Sequence, residues 1–234
     1  MFFNLFEERI PANRCVLCAR PEADALCAHC RRELERCCAL SGPLCRCALP
    51  APGLQPGELC GRCLRQPPGF RAGYCDWAYR FPLDRLINAY KHQGRLPVER
   101  ALETLATGAP LPWPEADLLC PLPAHWRRRW VRGFDQAERL AAALARHWRR
   151  PLVPLLRRRR ATPPQQGHGR AWRVRSLRHA FQALPASRGR RVLLVDDVIT
   201  TGASLRAASH ALYEAGAEEV RVWALARTLE GSHR

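Results

Sequence analysis

Two adjacent carboxylates, Asp196 and Asp197, close the apolar run Arg191-Val192-Leu193-Leu194-Val195. After Val198 and Ile199 come Thr200-Thr201-Gly202-Ala203-Ser204. The run reads as a buried strand ending in the two acids, and the hydroxylated segment as the opening of a helix. Carboxylates at a strand's carboxyl edge can accept hydrogen bonds from a vicinal diol. A helix N-terminus offers free N–H groups and a favourable dipole to a phosphate. Gly202 lets the backbone approach without a Cβ, and the hydroxyls of Thr200, Thr201 and Ser204 can donate further bonds. Diol acceptors and phosphate donors a few residues apart describe a ribose 5-phosphate site, and a simple helix cap after a strand would not explain the paired acids.

A second chemistry sits near the other end. Eleven of the 12 cysteines fall in residues 15–75. Cys15, Cys18, Cys27 and Cys30 form two CxxC knuckles, the arrangement that supplies four thiolates to a tetrahedral Zn2+. Cys45, Cys47, Cys60 and Cys63 look like a second pair with one knuckle a residue short, so one zinc or two are both open. Cys37 or Cys38 could substitute in that second set, and His29 could join the first. A disulfide framework suits an exported chain, whereas this one begins with Phe2, Phe3, Glu7 and Glu8 where an export signal needs a basic end. The expectation is a cytoplasmic protein with structural zinc and no membrane insertion, since no apolar run approaches the roughly 18 residues that span a bilayer.

The formal charge of +17 is concentrated: residues 121–191 hold 19 Arg against 2 acids. Such a segment suits a polyanionic partner. Arg127, Arg128, Arg129 and Arg132 lie between an apolar run and a helical pattern, where guanidinium forks could grip a diphosphate. Arg157–Arg160 and the interleaved Trp126, Trp130, Trp148 and Trp172 could instead serve single-stranded DNA through charge and base stacking, although core packing is the usual fate of tryptophan. Lys91, alone among 37 Arg, is either a phosphate contact or a solvated surface charge.

These residues need a scaffold. Apolar runs at 75–81, 118–122, 152–156, 192–195 and 220–226 read as strands. Helical patterns fill 83–92, 98–107, 135–147 and 202–215. Strands apolar throughout and alternating with helices imply a parallel sheet covered on both faces. The long 157–179 stretch reads as a loop. The composition shift near Pro67-Pro68-Gly69 divides the chain into a Cys-rich head, 1–68, and an α/β body, 69–234.

Residues 192–204 resemble the signature of the type I phosphoribosyltransferases: an apolar strand, two acids, two apolar residues, then Thr-Thr-Gly-x-Ser/Thr. The remainder is similar to the ComF family (ComFC/GntX-like), through the Cys pairs, Tyr90-Lys91-His92-Gln93-Gly94-Arg95, Pro121-Leu122-Pro123, Arg132-Gly133-Phe134-Asp135-Gln136, Thr162-Pro163-Pro164-Gln165, Arg173 and Ala180-Phe181. The short Cys45-x-Cys47 knuckle and Ser176, where the family usually has Asn, depart from it. The resemblance implies the type I phosphoribosyltransferase fold preceded by a zinc ribbon, with phosphoribosyl diphosphate (PRPP) and Mg2+ as ligands. It implies catalytic roles for Asp196 and Asp197, which would stabilise positive charge on the ribose as pyrophosphate leaves. Phosphate contacts would come from Thr200, Thr201, Gly202, Ala203 and Ser204, and pyrophosphate contacts from Arg127, Arg128, Arg129, Arg132 and Lys91, with an unusual peptide, cis among the options, near Pro121–Pro123. It further implies a link to DNA uptake in natural transformation and to use of external DNA, with competence-machinery proteins as partners. Two function classes follow: a transferase acting on an undetermined acceptor, or a single-stranded-DNA-binding or regulatory module with PRPP as effector.

Overall fold

Four of the five apolar runs become strands of one sheet because each is followed or flanked by an amphipathic helix able to cover it. The structure, a computed structural model, describes residues 13–55, 58–93, 96–124, 133–159 and 180–229. In chain order these form α1 (Ala28–Cys38), α2 (Gly61–Arg65), β1 (Gly73–Ala78), α3 (Leu83–Gln93), α4 (Leu96–Thr107) and β2 (Leu118–Pro121). After them come α5 (Gln136–Trp148), β3 (Leu156–Arg158), β4 (Phe181–Ala183), β5 (Arg191–Ile199), α6 (Ala203–Glu214) and β6 (Glu219–Arg227). The main sheet has the order β1-β6-β5-β2 with every pairing parallel.

Period-two alternation along the central strands sends neighbouring side chains to opposite faces. Leu193, Val195, Trp223 and Leu225 join a core with α3, α4 and α5, whereas Val192, Leu194, Val222 and Ala224 join one with α6 and the β3–β4 ribbon. Both faces are therefore covered, as the unbroken apolar strands predict. The exposed edge of β1 is shielded by the segment after α1, where Ala39 bridges Trp77 and Leu40 donates its N–H to the Asp76 carbonyl at 2.9 Å. Shielding of this kind blunts edge-to-edge pairing.

Several expectations change. The strand expected at 192–195 runs on to Ile199, so Asp196 and Asp197 lie inside β5 rather than beyond its end. Backbone pairing with β6, Asp196 opposite Ala224 and Val198 opposite Ala226, carries it through the acids. The run at 152–156 is not a strand of the main sheet. Leu152 makes one parallel bridge to Leu119, and Leu156–Arg158 turn away to pair antiparallel with Phe181–Ala183. The peptide that is cis among the described residues is Phe81–Pro82, not one near Pro121–Pro123.

The Cys-rich segment is not an isolated appendage. Cys15, Val16, Leu17, Cys27, Cys30, Leu34 and Cys38 are buried in the same core as α3 and α4. Cys45, Cys47, Ala51 and Cys63 make a small cluster of their own. A short ribbon buries little apolar area, and docking on the body supplies what it lacks.

Candidate functional site

Open parallel sheets bind ligands beyond the carboxyl ends of their strands. A cleft of about 310 Å3 lies at that edge here, bounded by Asp196, Asp197, the 200–204 loop, Pro123, Lys91 and Arg158. The structure thus brings the two acids, the hydroxylated loop and the lone lysine to one cavity.

The acids are held in different ways. Asp196 Oδ1 accepts the Asp197 backbone N–H at 2.8 Å, and Asp197 Oδ1 accepts that of Val198 at 2.8 Å. Asp197 Oδ2 lies 2.7 Å from Lys91 Nζ. Asp196 is half-buried as a residue, but its carboxyl end is deep. Burial, then the neighbouring Asp197 charge, push it well above the usual carboxylate range, against the pull of a backbone N–H and Lys91. A cation or a diol donor entering the cleft would favour its ionised form.

Within the 200–204 loop Gly202 is the residue before α6, with φ +72°. A Cβ there would meet only Ile199 Cγ2, at 3.9 Å. The glycine is therefore required by the left-handed backbone and not by crowding. Thr201 Oγ1 accepts the Ala203 N–H at 3.3 Å, capping one donor, while helix starts leave further N–H groups without intrahelical partners. Behind the loop, Arg227 is 1% exposed. It donates to the carbonyls of Ile199 at 2.8 Å, of Thr200, and of Cys47 at 3.1 Å.

The loop after β2 is clipped at both ends by one carboxylate. Asp135 Oδ2 accepts the Ala124 N–H at 2.8 Å and Oδ1 accepts the Ala137 N–H at 3.2 Å, which also caps α5. Next to it Phe134 packs on Tyr90, ring centroids 5.0 Å apart, beneath the Arg139 guanidinium. Arg127, Arg128, Arg129 and Arg132 lie outside the described residues, as do Arg160, Trp126, Trp130 and Trp172. Trp148 is partly buried and packs against the core. It packs edge-on against Trp223 and donates its indole N–H to the Ala109 carbonyl at 3.3 Å. It is not a stacking platform for bases.

Both cysteine quartets have the geometry for zinc. A tetrahedral ion with Zn–S bonds of about 2.3 Å sets its sulfurs about 3.8 Å apart. The Sγ atoms are 3.8 Å apart for Cys18 and Cys27, 3.6 Å for Cys45 and Cys63, and 3.8 Å for Cys47 and Cys60. In each quartet all four Sγ atoms lie within 4.8 Å of one another. The shortened knuckle closes because the Cys60 N–H reaches Cys45 Sγ at 3.1 Å. Burial opposes ionisation of Cys60, yet the Cys63 N–H and neighbouring sulfurs hold it down to about 7. Cys30 and Cys63 are pushed up, by burial first and adjacent sulfurs second. Four thiolates so close together need a cation. Cys37 and Cys38 stand outside both quartets: Cys38 is buried with its Sγ 3.4 Å from the Phe81 carbonyl. His29 is exposed.

Relatives resemble the chain nearly end to end. DNA utilization protein YhgH of Salmonella typhi is 34% identical over 230 residues, covering 92% of this chain and 97% of its own. The chain belongs to the ComF family. Its Escherichia coli K12 relative of the same name is 34% identical over 233 residues with the same coverage, and Competence protein F of Haemophilus influenzae is 37% identical over 181 residues, 72% of this chain and 78% of its own. The phosphoribosyl transferase domain model matches residues 132–233. This ComF-family chain therefore combines a phosphoribosyltransferase-like domain with a Cys-rich N-terminal region able to bind zinc.

Three site residues escaped the sequence reading. Arg227 carries no motif, and its role depends on carbonyls brought together by folding. Asp135 was legible as a helix start and as part of the Arg132–Gln136 motif, but not as the acceptor of the Ala124 N–H. Arg158 was grouped with its neighbours as a run of charge. The ribbon pairing separates them: Arg157 and Arg159 are exposed, while Arg158 stacks over Phe181 at 5.2 Å and lines the cleft.

Proposed function

We propose that this protein binds PRPP as its Mg2+ complex in the cleft beyond β5 and transfers ribose 5-phosphate to an acceptor, in the DNA utilization that its relatives' names describe. The observation that carries this reading is the meeting of Asp196, Asp197 and the 200–204 loop in one cavity. The 5-phosphate would sit on the N–H groups and hydroxyls of Thr200, Thr201, Gly202, Ala203 and Ser204. Asp196 and Asp197 would accept the ribose diol and offset positive charge that develops on the ring. Arg127, Arg128, Arg129 and Arg132 follow β2 in sequence and would receive the pyrophosphate, with Lys91 and Arg158 among the residues that line the cleft. The oxygen-rich acidic wall suits Mg2+, which prefers ligand oxygens and retained waters and would neutralise the leaving pyrophosphate.

Zinc at the two quartets would be structural, since each offers four protein thiolates and so no open position. The proposed division at 68/69 separates a zinc-bearing head from a ligand-binding body. The surplus of arginine in 121–191 supports single-stranded DNA as a further partner, with competence-machinery proteins as candidates from the family link. No helix among the described residues is long and apolar enough to cross a membrane, and a cytoplasmic location fits the reduced cysteines that zinc requires.

Calorimetry with PRPP and Mg2+ tests the binding step, and pyrophosphate release in the presence of nucleobases, amines or single-stranded DNA tests the transfer. Saturable, Mg2+-dependent PRPP binding that Asp196→Asn with Asp197→Asn abolishes is the expected result. Unaltered affinity in that double variant would refute the assignment.

A further inference from the structure

The second quartet and the phosphate loop are far apart in sequence but share their anchors. Arg227, at the end of β6, spans the carbonyl of Cys47 on one side and those of Ile199 and Thr200 on the other. Arg62 lies in α2 between Cys60 and Cys63, and its Nη2 donates to the Thr201 carbonyl at 2.9 Å. A third tie closes the same seam. Arg206, in the first turn of α6, donates Nε to the Pro67 carbonyl at 3.1 Å, and Gly69, with φ +80°, lies so close that a Cβ would come within 2.7 Å of Arg206 Cγ.

The residues that shape the loop from behind therefore hang on the fold of the second cysteine quartet. We propose that the Cys45-Cys47-Cys60-Cys63 centre is a support for the phosphate loop, acting through Arg227 and Arg62 as positioning residues, so that metal at this centre sets the loop's capacity to hold a phosphate. The inference rests on the ribose 5-phosphate reading for its consequence in binding, but not for the mechanical link itself.

Electrostatics points the same way. A guanidinium buried almost completely needs compensating negative charge as well as hydrogen bonds. The carbonyl oxygens of Cys47, Ile199 and Thr200 supply Arg227 only with dipoles. A zinc ion carrying four thiolates is a dianion, and Cys47, whose carbonyl Arg227 grips, contributes one of those sulfurs. With the metal bound, the cation has its counter-charge next to it. Without the metal, α2 loses the crosslink that holds Arg62 toward Thr201. The first quartet lacks this connection, because it packs with α3 and α4 on the other face of the sheet.

The experiment uses the full chain and needs no substrate to read the link. Zinc content and amide hydrogen exchange at residues 200–204 are measured for the wild type, for Cys60→Ser with Cys63→Ser, for Arg62→Ala, and for Arg227→Lys, which keeps the charge but cannot span both sets of carbonyls. Affinity for inorganic phosphate, ribose 5-phosphate and pyrophosphate is then determined by calorimetry. Expected are faster exchange at 200–204 in all three variants and affinity for phosphate and ribose 5-phosphate lower by about tenfold or more, as for loss of a charged hydrogen bond. Pyrophosphate affinity should stay unchanged, a selectivity that general loss of fold would not give. Arg62→Ala, altered at an exposed hydrogen bond, keeps the test decisive if Arg227→Lys does not fold. Unchanged exchange at 200–204 in folded protein lacking the second metal overturns the proposal. A wild type that binds no ribose 5-phosphate, yet whose loop exchange still responds to these changes, supports the link and overturns the PRPP reading instead.

Discussion

Lys91 Nζ and Asp197 Oδ2 are 2.7 Å apart, with about a fifth of each side chain exposed, 21% and 20%. The lone lysine of the chain thus meets one of the two acids at the lip of the cleft. A compact ammonium at the end of α3 can hold that carboxylate and still face an incoming anion, which a planar guanidinium would do with different geometry. Lys91→Met and Asp197→Asn should each weaken PRPP binding, and the pair should be non-additive, with a coupling of about 1–3 kcal/mol by double-mutant cycle. Additive losses would mean that the two side chains act separately.

Asp196 should cost stability when ionised. Its carboxyl is raised well above the usual range in the folded protein, by burial and then by Asp197. The fold is therefore favoured at low pH as far as this group is concerned, and that contribution is lost as pH rises through the raised value. Asp196→Asn should melt at a higher temperature than the wild type, by a margin that grows as pH rises from the ordinary carboxylate range toward the raised value, while PRPP binding weakens. Thermal melts across that range check it, and a margin that shrinks with rising pH would contradict the assigned cause.

Gly202→Ala should bind ribose 5-phosphate less well for a backbone reason. The added methyl has room, since its nearest neighbour is 3.9 Å away, but φ is +72°. The strain should cost about 1 kcal/mol or more of stability. Gly202→Asn, which tolerates the left-handed region better, should recover part of it. Equal loss in both variants would indicate a steric requirement.

Two zinc ions per chain are expected, and their affinity should fall with acidification, because binding displaces protons from thiols such as Cys30 and Cys63 that burial and neighbouring sulfurs push up. Metal analysis of protein purified without added zinc, followed by chelator titration at several pH values, measures both. A stoichiometry of one would confine zinc to a single quartet.

The arginine run on the β3–β4 ribbon should divide by function. Replacing exposed Arg157 and Arg159 by Ala should lower the salt slope of single-stranded DNA binding by about 1.4, at about 0.7 for each DNA phosphate no longer neutralised, and leave PRPP binding intact. Arg158→Ala should weaken PRPP binding, because that side chain lines the cleft. If the wild type shows no DNA binding at low salt, the DNA partner fails.

The two acids, the Thr-Thr-Gly-Ala-Ser segment and the first pair of knuckles were legible because their chemistry depends on residues adjacent in the chain. A strand end and the helix start that follows it need no distant partner to be recognised. The helix patterns at 83–92 and 135–147 were similarly readable from their 3.6-residue period. Run 152–156 misled, since a short apolar stretch does not say which sheet will accept it; Leu156 pairs with Ala183 in the ribbon.

By itself the sequence determined the parallel α/β body, the first thiolate quartet and the position of the 200–204 loop, all set by local spacing and periodicity. Tertiary structure alone decided that Lys91 meets Asp197, that Arg158 and not Arg157 turns to the cleft, and that Arg227 joins Thr200 to Cys47, 180 residues before it. Each of these is a meeting of polar groups distant in sequence. A buried guanidinium or a half-buried ammonium must find its acceptors wherever folding places them, and no motif in the chain records which carbonyl or carboxylate that will be.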